Sequence, residues 1–320
     1  MGGGCSKKDG GLPQLTGEQT GLADVPASVE VVISADVGKL SQSAIVQRSI
    51  EQLLAHDQKL AEQWEQAKAS CKIDVVDQVK RVLLAIGPAP DGGVGTGPVL
   101  LVAIGNVPEA DLSACVRSLV GQGGGTLTAK PVGTHTLYQA KDGNRTMFFA
   151  YAKPDAVVMS ANEAYVTEAL GDGPKGSQNL ELAGWLRRVD ESAGMWAAGR
   201  VPGRVASGLV RATEGKVGAG PVAVVGTANL VDGAELFLGA VMPAAADAKS
   251  LESYAKAELT AYTAAASLAK LGGVVGKLRI VAEGDTTAFR VALTTDDLNQ
   301  LLAVLDGGPP PAQDAPPATK

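Results

Sequence analysis

Three cysteines and two histidines are the side chains of this 320-residue chain best suited to nucleophilic, redox or metal chemistry. Cys5, Cys71 and Cys115 stand far apart, which excludes a C-x-x-C metal or redox pair. His56, in the charged run Ala55-His-Asp-Gln-Lys59, reads as a solvated helix position, and His135, in Gly133-Thr-His-Thr136, as a turn or strand start. A Ser–His or Cys–His pair needs the base beside its nucleophile, and the chain has no G-x-S-x-G elbow. The glycine clusters invite a phosphate-loop reading, but Gly92–Gly97 precedes an expected strand and Gly121–Gly125 follows an expected helix. A dinucleotide loop must do the reverse, leaving a strand and opening a helix. Gly171–Ser177 contains a lysine without the Gly-Lys-Ser/Thr ending. Asp74 with Asp77, and Asp296 with Asp297, lack calcium-loop spacing. The sequence therefore assigns no catalytic residue, no cofactor and no metal ligand. A hydrolase using acidic residues distant in the chain stays open as an alternative.

The elements that would position such residues are read from the pattern of apolar side chains. Hydrophobic residues make up 45% of the chain and aromatics only 4%, so the core must be built from small and branched aliphatic groups. The net charge of -6, with no basic run longer than Lys7-Lys8 or Arg187-Arg188, argues against nucleic acid as a partner. No apolar run reaches the roughly 18 residues that span a bilayer. Strands are expected over 29–36, 79–87, 98–107, 127–131, 136–140, 146–151 and 156–160, then over 195–201, 221–230, 234–242, 277–283 and 286–294. Val46, Ile50, Leu53, Leu60, Trp64 and Ala67 repeat at helical spacing and predict one helix, capped by Ser41 or Ser43 and running to about Ser70, its stripe interrupted once at Asp57. Further helices are expected over 108–120, 162–170, 180–192, 246–271 and from Thr294 onward.

These elements fall in a repeated order: strand, intervening segment, two strands, helix, further strands, helix. The expected architecture is α+β, with two similar tandem halves whose antiparallel or mixed sheets carry helices mainly on one face. The expected divisions are a disordered tether over 1–24, a first half over 25–172, a linking segment over 173–192, a second half over 193–306, and a disordered Pro/Ala-rich tail over 307–320.

Gly3-Gly4-Cys5 is similar to the end of a bacterial lipoprotein signal, where small residues precede a cysteine that becomes lipidated. The polar, Gly-rich stretch from Ser6 to about Ala23 suits a tether that holds a domain off a membrane. The other reading of this stretch is an ordinary tail with a stray cysteine. Together with Cys71-Lys-Ile-Asp74 ahead of the strand at 79–86, and Leu112-Ser-Ala-Cys115, these features resemble surface lipoproteins of Gram-negative bacteria of the myxobacterial type. The resemblance implies an envelope location, lipid anchoring through Cys5 and, with Ser6 following it, the outer membrane; it implies no activity.

The function expected on that basis is a non-enzymatic envelope lipoprotein, a structural or binding module whose contact with the membrane is the lipid on Cys5. The alternative is a periplasmic carrier or chaperone-like protein that binds an apolar ligand or an outer-membrane client between the halves, with Tyr254 and Tyr262 of the long Ala-rich helix as its hint. In the oxidising envelope that the resemblance implies, and with Cys5 used by lipid, Cys71 and Cys115 are expected to form a disulfide. Two unpaired buried thiols are the alternative.

Overall fold

The computed structural model describes residues 12, 14–71, 73–90, 92–268 and 272–305. In chain order, helix α1 (Gly17–Thr20) and a 3-10 turn at Leu22–Asp24 precede β1 (Val31–Asp36). Four helices follow: α2 (Val37–Ser41), α3 (Ala44–His56), α4 (Gln58–Ser70) and α5 (Val75–Gln78). Then come β2 (Val79–Ile86), β3 (Val99–Gly105), α6 (Glu109–Gln122), β4 (Thr126–Val132), β5 (His135–Asp142), β6 (Arg145–Lys153), β7 (Ala156–Ser160), α7 (Glu163–Leu170) and α8 (Leu180–Leu186). The remainder runs β8 (Met195–Arg200), α9 (Gly203–Ala212), β9 (Ala223–Asn229), β10 (Ala234–Val241), α10 (Ala245–Leu268), α11 (Gly272–Val275), β11 (Arg279–Glu283), β12 (Thr286–Leu293) and α12 (Thr295–Leu305).

All twelve strands join one antiparallel sheet in the order β11-β12-β10-β9-β8-β1-β2-β3-β7-β6-β5-β4. The fold is thus α+β, and among the described residues the strands form one continuous sheet. The strands before and after the linking segment meet at β1 and β8, where Val31 lies opposite Gly199 and Ala35 opposite Met195. The outer edge at β4 carries Lys130 and Pro131, residues that discourage a further strand from adding there.

Register separates the two faces of the sheet. Val32, Ala85, Leu100, Ala198 and Val225 share one face and are fully or almost fully buried. Tyr165 and Val166 of α7, Leu182, Trp185 and Leu186 of α8, Val189, and Leu22 and Val25 complete this core. The side chains between them point to the opposite face. There Tyr138 donates its hydroxyl to Glu109 of α6 at 2.7 Å, and Thr287 donates to the Ala248 carbonyl of α10 at 2.9 Å. Helices therefore pack on both faces, not mainly on one as the element order suggested.

Two local expectations are also corrected. The helix expected from Ser43 to Ser70 breaks at Asp57, whose extended backbone ends α3 and whose side chain caps α4 by accepting from Leu60 N–H at 2.9 Å. The tether expected over 1–24 gives way to ordered chain by Gln14. Thr16 and Gln19 form a reciprocal capping box on α1, and Leu22 and Asp24 are buried. Residues 1–11 and 13 of that tether, and the tail over 307–320, lie outside the described residues.

Candidate functional site: the open face of the sheet

Among the described residues, two longer helices pack on the face opposite the main core, each toward one flank. Helix α6 packs over β4 and β5, and α10 over β11 and β12. Between them, Ile33, Ala197, Gly226, Leu238 and Phe289 lie side by side across β1, β8, β9, β10 and β12. A parallel row two residues along holds Met195, Ala228, Leu236 and Val291. In the other direction Ile33 continues into Leu84, Leu101, Met159, Phe149 and Tyr138. Ile33, Leu236 and Leu238 remain exposed, Leu238 by 52%.

Small residues shape this floor. Ala197, Gly226 and Ala228 lie at its centre, while Ile33, Met195, Leu236, Leu238, Phe289 and Val291 rise around them, leaving an open depression of about 400 Å³. That volume falls within the range of small-ligand sites. No titratable side chain lines it. The strands beneath are paired on both sides, so the floor has no free backbone donor or acceptor for a peptide strand. Its chemistry suits a hydrocarbon surface that asks for no hydrogen bond.

The opposite face carries a second, polar depression of about 580 Å³ at the same end of the strands. Of its cations, Lys277 pairs with Asp297 and Arg290 with Glu283, Arg279 donates to the Gly276 carbonyl at 2.8 Å, and Asp190 and Glu235 add negative charge. This balance favours neither an anion nor a cation.

The residues singled out by sequence separate as follows. Cys71 and Cys115 are joined in a disulfide, their Cα atoms 4.7 Å apart, which links the end of α4 to α6. Cys5 lies outside the described residues, as does the side chain of Tyr262. His56 is exposed at the end of α3, and His135 directs a ring nitrogen to the Tyr151 carbonyl at 2.9 Å, away from any nucleophile. Burial pushes the Tyr151 hydroxyl up to about 12, beyond the range useful for proton transfer near neutrality. Among the described residues no three His, Cys, Asp or Glu side chains gather as a metal set, and no helix is long and apolar enough to cross a membrane. The floor itself escaped sequence reading. Its signal was the double apolar phase of the central strands, which reads equally well as two covered faces.

One rim of the depression is held by charge. Asp297 accepts from the Thr294 N–H at 2.7 Å, from its hydroxyl at 2.8 Å, and from Lys277, next to Leu278. These bonds, the Lys277 one foremost, hold the Asp297 carboxyl down to about 2. A depressed carboxyl contributes stability that is present above its unfolded value of 3.8 and is lost as pH falls through 2. Asp297→Asn should lower the melting temperature at pH 5, and the difference from wild type should shrink steadily between pH 4 and 2. A difference that does not change with pH would show that the carboxylate contributes nothing through its charge.

Comparison with protein-family models, with curated proteins and with solved structures finds no match to this chain.

Proposed function

We propose that this chain is a non-enzymatic binding module of the bacterial cell envelope, anchored to the outer membrane by lipid on Cys5, and that it holds an apolar ligand on the open face of its sheet. The observation that carries the reading is the depression between α6 and α10, almost wholly apolar and left open by the helices of the described residues. The Cys71–Cys115 bond supports the envelope location, because structural disulfides persist in oxidising compartments. An acyl chain is the ligand class that best matches a floor without hydrogen-bonding groups.

The proposal includes tandem duplication. The first half runs β1-β2-β3-β7-β6 across the sheet and the second runs β8-β9-β10-β12-β11, the same connectivity read outward from the β1–β8 junction. In each half a helix, α6 or α10, follows the third strand and lies on the open face. The hairpin β4–β5 is then an addition to the first half.

Titration with a fluorescent fatty acid tests the binding reading. Leu238→Lys places a charge on the floor at an exposed position that the fold tolerates. Losing one apolar contact worth about 1.5–3 kcal/mol weakens binding roughly tenfold or more. Failure of the wild-type protein to bind, or equal affinity in the variant, would sink the proposal.

A further inference from the structure

The helical arm α3–α4 leaves apolar side chains in water that the rest of the fold has no use for. Ile50 and Leu53, three residues apart on α3, are 45% and 56% exposed, and Trp64 on α4 is 45% exposed. No residue of α3 is fully buried. The arm's charges nearly cancel: Arg48, Lys59 and Lys68 against Glu51, Asp57, Glu62 and Glu65 leave it at about -1, with His neutral. Exposed tryptophan and aliphatic side chains on amphipathic helices are the composition that settles at a lipid–water boundary.

The contacts of Gln14 and Leu15 bear on what covers this face. Gln14 donates to the Val189 carbonyl at 3.1 Å, and Leu15 N–H donates to Glu191 at 2.6 Å. Both acceptors belong to the segment leading into β8. Ser192 of the same segment accepts from Lys39 of α2, the helix from which the arm springs. The outgoing N-terminal chain and the root of the arm are therefore fastened to one short segment. Eight residues separate Cys5 from Gln14, so an extended chain spans at most about 32 Å between them. Helix α3, with 13 residues, is about 20 Å long. An anchor on Cys5 keeps the bilayer within the arm's reach.

We infer that the α3–α4 arm lies on the lipid surface, with Ile50, Leu53 and Trp64 entering the interface as a second attachment beside the Cys5 lipid. This inference rests on the anchored reading of Cys5.

The test uses the full chain coupled through Cys5 to a maleimide-headgroup lipid in phosphatidylcholine vesicles. Cys71 and Cys115 are already bonded to each other, so Cys5 is the thiol left to react. Trp185 and Trp196 are buried, which makes Trp64 the tryptophan that senses its surroundings. On vesicles whose lipids are brominated near the headgroup, Trp64 emission should shift to the blue and be quenched. Ile50→Ser with Leu53→Ser should lose the quenching, while circular dichroism stays that of the wild type. Unchanged emission on the vesicles would overturn the inference, and so would a blue shift without quenching, which would place the arm on the sheet floor. The anchor is tested separately by the intact mass of the native protein. An unmodified Cys5 overturns the anchored reading, while quenching on the artificial anchor still decides where the arm lies.

Discussion

Replacing both Cys71 and Cys115 with Ala should lower the melting temperature by about 8 °C in the absence of reductant. The bond closes a loop with a sequence separation of 44, and cross-linking a loop of that length removes about 4 kcal/mol of chain entropy from the unfolded state. The loop contains β2 and β3, two of the central strands. Without the bond, these strands and the arm must find one another from a wider ensemble. Cys115 is 8% exposed on α6, so alanine, which leaves no polar group there, is the cleaner replacement. Thermal unfolding of the wild type with and without dithiothreitol provides the control. Reductant should bring the wild type to the variant's melting temperature and leave the variant unchanged. If reductant does not affect the wild type, the bond does not stabilise the fold, and the support it lends to an oxidising compartment is withdrawn.

The element pattern was legible where side-chain periodicity and end signals agreed. Strands β5–β7 and α7, with Asn162 capping it by accepting from Tyr165 N–H, stand where alternation and turn residues put them. Leu182, Trp185 and Leu186 are buried on α8 as their spacing puts them, but the helix ends at Leu186, short of the expected 192, and Val189 reaches the core from the turn beyond it. What was missed has local physical causes. Gln14–Asp24 is polar and Gly-containing, so composition pointed to a tether; the signals to the contrary were the spacing of Thr16 and Gln19 and two apolar residues, Leu22 and Val25, that reach the core. Helix α9 was not among the expected helices, because Pro202, Gly203 and Gly208 weaken its pattern. Asp57 could interrupt a helical stripe or cap a new helix, and only the backbone there distinguishes the two. The meeting of β1 and β8 joins strands more than 150 residues apart, and no local periodicity encodes such a pairing. The apolar floor was hidden for the same kind of reason, because apolar side chains on both phases of a strand do not say which face the helices will leave bare.

Arg81→Met should be the most costly single change on the packed face, about 3 kcal/mol at neutral pH. Arg81 is 7% exposed, donates to Ser34 at 3.1 Å and pairs with Asp36 at 3.3 Å. Glu191, also buried, feels the same positive charge. Removing one partner of a buried ionic group leaves the others without compensation, at a typical cost of 3–5 kcal/mol; the lower end applies because a quarter of the Asp36 side chain meets solvent. Methionine keeps much of the stem's volume, so the loss reports charge more than packing. The pH dependence separates the two. Burial already raises the Glu191 carboxyl above its ordinary 4.5, with the Leu15 N–H and Arg81 opposing that rise. Without Arg81 the folded state holds the Glu191 proton more tightly still. A raised carboxyl destabilises the fold as pH rises from the unfolded value through the folded one, so the penalty of Arg81→Met should be smaller at pH 4 than at pH 7. Adding Glu191→Gln should remove that pH dependence and recover part of the loss. Because Glu191 also accepts from Leu15, protease cleavage between residues 14 and 24 should be faster in the charge-deleted protein. Urea unfolding at the two pH values measures the penalty directly. An equal loss at both would assign Arg81 a packing role and leave the buried charges without a part in holding the N-terminal segment.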